Sequence, residues 1–164
     1  MLTFMVFMLP HLQIRSVTET DLVALDELVR DVFDTPKCRA FFLSRCGHVV
    51  PQVCLAGALV AVQHDVIAGF ILWQQDEFLG VITGIGVRTT HRRFGVASFL
   101  LEAAVEKLRT EGLRVLDVVC DTHFSGCMAL FVKHKFQILQ SDESYILFSR
   151  RLVGRRNRGD GFDV

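Results

Sequence analysis

The segment Val87-Arg88-Thr89-Thr90-His91-Arg92-Arg93-Phe94-Gly95-Val96-Ala97-Ser98 decides how this chain is read. It joins residues 78–87, an apolar run carrying Gly80, Gly84 and Gly86, to a stretch of helical periodicity. In that stretch Val96, Phe99, Leu100, Ala103 and Leu108 form an apolar stripe, Glu102, Glu106, Lys107 and Arg109 face outward, and Gly112 is the natural stop. Glycine weakens a strand, so the upstream run reads as a strand with a bulge or a close approach of another group. The first turn of a helix has amides without intrahelical partners, and its aligned peptide dipoles leave that end partly positive. An anion is stabilised there. Gly95 and Ala97 let a phosphate approach the backbone, and Arg88, Arg92 and Arg93 bring three positive charges within six residues. The alternative is a basic helix start with an incidental glycine.

Working outward, residues 12–17 read as a short strand, and one of Ser16, Thr18 and Thr20 caps a helix over residues 21–33, whose Leu22, Leu25, Leu28 and Val29 follow helical spacing. Thr35-Pro36 opens a second helical stretch with Ala40, Phe41 and Leu43 inward, ended by Gly47. Residues 53–62 and 66–73 are apolar runs around the polar turn Gln63-His64-Asp65, a hairpin signal. Residues 113–120, interrupted by Asp117, suit a strand near the centre of a sheet. Residues 125–134 read as a short helix, and 136–139 and 145–149 as closing strands. The predicted order is β-α-α-β-β-β-α-β-α-β-β, an α/β (α+β) single domain over residues 12–149. Residues 1–11 form an apolar extension, and residues 150–164 a basic tail expected to fray. Phe41, Phe42, Phe70, Phe78, Phe99, Phe136 and Phe148 are read as core.

Composition narrows the class. Of 164 residues 51% are apolar and 22% charged, a globular balance, and 18 basic residues offset 18 acidic ones. Zero formal charge argues against broad nucleic-acid or anionic-membrane binding. The apolar start is only about half the roughly 20 residues a spanning helix needs. Five cysteines without a C-x-x-C pair suggest neither a disulfide framework nor a zinc site, so reduced thiols and a cytoplasmic location are expected.

Arg92-Arg93-Phe94-Gly95-Val96-Ala97, followed by Leu100-Leu101, resembles the acetyl-CoA signature Q/R-x-x-G-x-G/A of the GNAT superfamily of N-acetyltransferases. Gly84-Ile85-Gly86-Val87 is similar to the family's splayed strand, whose backbone pairs with the pantetheine arm. Ala129-Leu130-Phe131-Val132-Lys133-His134-Lys135-Phe136 is similar to its second motif, A-x-x-x-Y-x-x-x-G-F with variable spacing. The resemblance covers residues 12–149 and implies a mixed central sheet of six to seven strands flanked by about four helices. It further implies transfer of an acetyl group from acetyl-CoA to a primary amine of a small molecule or protein, by direct attack on the thioester. A non-catalytic acyl-CoA-binding module of the same fold is the alternative. A homodimer is an open possibility; no metal is implied. An unrelated nucleotide binder is disfavoured by the missing G-x-G-x-x-G.

The resemblance assigns CoA contacts to Ile85, Gly86, Val87, Arg92, Arg93, Phe94, Gly95, Val96, Ala97, Ser98 and Phe131, and stabilisation of the developing oxyanion to the Val87 amide. Two positions depart from the pattern: Phe131 stands where a tyrosine acid is usual, and Lys135 where a glycine is. Candidate bases are Glu77, beside Asp76 at the start of the glycine-bearing strand, and His123, beside Asp121 after the central strand. Candidate acids are Cys127, one helical turn before Phe131, and Tyr145, the only tyrosine. The ordinary alternatives are solvated hairpin carboxylates, an exposed loop histidine, a buried thiol and a half-buried strand tyrosine.

Overall fold

The computed structural model describes residues 11–33 and 57–152. The strand β1 (Gln13–Ser16) leads through a short 3-10 turn (Glu19–Asp21) into the helix α1 (Leu22–Val32). Three antiparallel strands follow, β2 (Ala58–Gln63), β3 (Val66–Gln75) and β4 (Leu79–Val87). The helix α2 (Val96–Thr110), the strand β5 (Val115–Asp121), the helix α3 (Ser125–Lys133) and the strands β6 (Gln137–Ser141) and β7 (Tyr145–Arg151) complete the chain. The predicted second helix, with Phe41 and Phe42, lies outside the described residues, as do residues 1–10 and 153–164. Strand β7 runs past Ser149 to Arg151, and Leu152 is buried. No helix among the described residues is long and apolar enough to cross a membrane.

The seven strands lie in the order β1-β2-β3-β4-β5-β7-β6. Strand β5 sits inside the sheet, as its apolar run predicts. His64 and Asp65, at φ 49° and 62°, make the two-residue turn whose twist suits a β2–β3 hairpin. The β4–β5 pair is the parallel join between two antiparallel halves, and it is short, from Leu79↔Val115 to Ile82↔Val118. Beyond it β4 stays with β3 as far as Val87, and β5 stays with β7 as far as Asp121. The sheet therefore opens into a V.

The cause lies in the register. Leu72 pairs with Gly84 but Trp73 pairs with Ile82, so Thr83 is an extra residue and β4 bends there. The bulge also exchanges faces. A Cβ on Gly80 would meet Leu108, Leu113 and Leu116, whereas one on Gly86 would meet Phe70 and Val32 on the opposite side. Ile85 and Val87 consequently pack on the α2 side.

Each face has its own core. Leu25, Leu28 and Val29 of α1 pack with Val60, Phe70 and Leu72. On the other face Val96, Leu100, Leu101, Ala104, Val105 and Leu108 of α2 pack with Ile71, Trp73, Ile82 and Leu116. Each fully buried leucine or phenylalanine contributes about 1.5–3 kcal/mol. This seam corrects the predicted stripe: Phe99 and Ala103 sit at its half-buried edge, because Leu101, Ala104 and Val105 carry the packing. Phe78 is also not core; it is 45% exposed, with the Arg114 guanidinium 4.7 Å from its ring centroid.

Asp21 fixes the entry to α1. Its carboxylate accepts from Arg15 Nη1 and Nη2 at 2.6 and 2.8 Å and from the Thr18 amide and hydroxyl, both at 2.8 Å. The hydrogen bond from Arg15 dominates and, with those from Thr18, outweighs burial, holding the Asp21 carboxyl far below the usual range. Asp21→Asn should cost about 1–2 kcal/mol in urea unfolding at pH 7. Because the folded-state value is depressed, that difference is fully present above about pH 4 and shrinks as pH falls toward the lowered value.

Candidate functional site

The Arg88 amide donates to the Ala68 carbonyl at 2.8 Å. Antiparallel pairing alternates, so the backbone groups of Gly86 also face β3 while those of Ile85 and Val87 point into the gap that β5 leaves. The Val87 carbonyl accepts from Arg92 Nε at 3.0 Å, tying the following loop back to the strand. Thr83, which opens the gap, is absent from the sequence prediction; the glycines around it are its only signal.

Between β4 and α2 the chain makes a 3-10 turn (Thr89–His91), and Arg93 and Gly95 then adopt φ 70° and 86°. Gly95 is the helix cap and makes no side-chain bond. Among the described residues the backbone amides of positions 93–98 have no hydrogen-bond partner; the first intrahelical bond is Phe99 N–H to the Gly95 carbonyl, at 3.1 Å. Left-handed residues spaced along such a turn curl successive N–H groups into an anion-holding concavity. Arg92, Arg93 and Phe94 are exposed beside it. Arg88 is half-buried and its Nε donates to the Ile67 carbonyl at 3.1 Å, bracing β3, so the exposed arginines beside the loop are Arg92 and Arg93. The donor set fits a diphosphate.

The catalytic candidates separate. Glu77 precedes β4 at the end of the sheet where Leu79 pairs with Val115, opposite the V. Nine strand residues at about 3.3 Å each place it roughly 30 Å from Val87, too far to act as base there. At the open end Asp121, 8% exposed, accepts from the His123 ring at 2.6 Å, through Nδ1, and from the His123 amide at 2.8 Å. The His123 side chain is 67% exposed, and its Nε2 makes no hydrogen bond among the described residues. Tyr145 pairs with Asp121 across β5 and β7.

Cys127 packs against the core, and burial pushes its thiol up. The raised value keeps the thiol in its protonated form. Phe131 is 1% exposed, between Phe136 and Phe148 at 5.2 and 5.9 Å between ring centroids. Its ring serves the core and presents no face to a ligand, contrary to the predicted CoA contact.

Ser98 belongs to an array that sequence reading missed. His134, which caps α3, bridges Ser98 and Glu102, and Arg150 of β7 reaches the same carboxylate. Lys135 follows at φ 64°, so the turn keeps a glycine-like conformation without glycine. A left-handed non-glycine residue costs roughly 1 kcal/mol. Lys135→Gly is therefore expected to stabilise the fold by about 1 kcal/mol, readable as a rise in thermal midpoint.

Residues 23–136 match the sequence model of the Acetyltransferase (GNAT) family. A search of curated proteins gave no significant match. Among solved structures, the PaiA N-acetyltransferase from Thermoplasma acidophilum in complex with coenzyme A superposes with a TM-score of 0.76 at 13% identity, covering 85% of this chain and 98% of that one. The ribosomal-protein-S18-alanine N-acetyltransferase from Escherichia coli gives 0.70 at 18% identity, over 92% and 99%. A GNAT family acetyltransferase from Elizabethkingia anophelis with acetyl-CoA bound gives 0.64 at 15% identity, over 87% and 99%. At these identities the likeness is one of fold.

Proposed function

Since the chain belongs to the acetyltransferase (GNAT) family, we propose that it transfers an acetyl group from acetyl-CoA to a primary amine of a small molecule or protein. The observation that carries this reading is the run of unpartnered amides at positions 93–98, set beside the V between β4 and β5. The ligands held by the Thermoplasma and Elizabethkingia relatives support it.

Acetyl-CoA supplies an acetyl group activated as a thioester. The amides of residues 93–98, with Arg92 and Arg93, hold its diphosphate. The gap-facing backbone of Ile85 and Val87 receives the pantetheine arm, and the Val87 amide stabilises the charge that develops on the carbonyl oxygen. His123 takes the proton of the attacking amine at Nε2, while Asp121 fixes the ring by accepting from Nδ1. The thiolate departs without a residue acid.

Calorimetry with acetyl-CoA and a free-thiol release assay across an amine panel test this. Binding with turnover of at least one amine supports it. The burial of Phe131 favours one other reading, a non-catalytic acyl-CoA-binding module, which binding without turnover of any amine would select. No heat with any CoA ester refutes both.

A further inference from the structure

We infer that His134 is a positioning residue for acyl-CoA binding: it decides which way the Ser98 hydroxyl donates, and a bound diphosphate selects its doubly protonated ring. The inference rests on the proposed diphosphate site.

Four side chains from three elements meet here. Ser98 and Glu102 stand one turn apart on α2, His134 caps α3 and Arg150 comes from β7. His134 Nδ1 lies 2.6 Å from Glu102 Oε1, His134 Nε2 lies 3.0 Å from Ser98 Oγ, and Arg150 Nη1 donates to Glu102 Oε1 at 3.2 Å. The His134 side chain is 11% exposed, so the ring is held within the array.

The donor logic is forced from one end. Burial raises the Glu102 carboxyl, but the hydrogen bond from His134 and the charge of Arg150 outweigh it, and the net direction is down. A carboxylate only accepts, so Nδ1 must carry a proton, and Nε2 is the one variable atom. With Nε2 bare, the Ser98 hydroxyl gives its hydrogen to the ring and turns only lone pairs outward, which suits no anion. With Nε2 protonated, the ring donates to Ser98 Oγ and the hydroxyl hydrogen is released to donate elsewhere.

Ser98 is the third residue of α2, the position whose side chain reaches back over the first turn, and its own amide is among the unpartnered ones. A phosphate on that turn therefore gains a donor only when the ring takes up a proton from solvent. The other charged groups around the ring are Glu102, Arg150, and the flanking Lys133 and Lys135; Arg92 and Arg93 stand on the loop. Carboxylates, lysines and arginines do not ordinarily change charge between pH 6 and 8. The other titratable ring near the loop is His91, whose Nδ1 lies 2.9 Å from Thr90 Oγ1.

The test is calorimetry of dephospho-CoA binding to the full chain at pH 6 and pH 8, each in two buffers of different ionisation heat. Dephospho-CoA removes the 3′-phosphate, whose own titration falls in this range. The expected result is about tenfold weaker binding at pH 8 and a buffer-dependent heat that reports proton uptake. Ser98→Ala and His134→Gln should each bind with the weaker affinity at both pH values and show no buffer-dependent heat, whereas His91→Gln keeps the slope. A pH-independent wild-type affinity overturns the inference, as does a slope that survives in His134→Gln. Both results leave the CoA site standing. No heat at either pH removes that site and this inference together.

Discussion

Gly95→Val is expected to weaken CoA binding at least about a hundredfold while leaving a folded protein. Gly95 sits at φ 86° as the cap of α2, where a side chain of L configuration costs roughly 1–2 kcal/mol and a β-branched one fits worst. Relaxing that strain turns the peptide planes on either side, and the amides of residues 93–98 cease to converge. Hydrogen bonds to a charged group contribute about 1.5–3 kcal/mol each, so misaligning two removes about 3 kcal/mol or more, which is a hundredfold in affinity. The scaffold loses only the strain energy, a thermal midpoint lower by several degrees. Calorimetry against a melting curve separates the two. Unchanged affinity, in this variant or with Arg92 and Arg93 both replaced by Ala, removes the diphosphate cradle.

His123→Ala should lower kcat/KM by about 10²–10⁴-fold, the range of a lost general base, with little change in the affinity for CoA. His123 extends from the end of β5 and touches none of the loop amides, so the loss belongs in kcat. Asp121→Asn should cost less but act in the same direction. It leaves the ring in place and removes the carboxylate that makes Nδ1 the protonated nitrogen. Saturation binding beside initial rates tests this: a variant that turns over as fast as the parent moves the base to another residue.

Much of this was readable from the chain, for local reasons. The helix over residues 96–110 announces itself by period, and the loop before it by glycine and charge. The errors arose where the answer depends on which strands meet. Glu77 stands at the start of the right strand, but only the parallel partner of β4 reveals which end opens. The register shift at Thr83 is set by β3, so the face to which Ile85 and Val87 turn was invisible beforehand. Phe131 occupies a motif position associated with the cleft, and two aromatic neighbours from later in the chain draw it inward. His134 and Glu102, 32 residues apart, carry no shared pattern that would pair them.

The four-rung seam between β4 and β5 has a bearing on how this chain assembles. The β2–β3, β3–β4 and β6–β7 pairs close through short turns, whereas the seam needs the long excursion through α2, the kind of contact that slows folding. A thioester donor wedged in the V would then act as a splint between the two sides of that seam. Mass action makes such a splint visible as a melting temperature that climbs with donor concentration, before any acceptor is known.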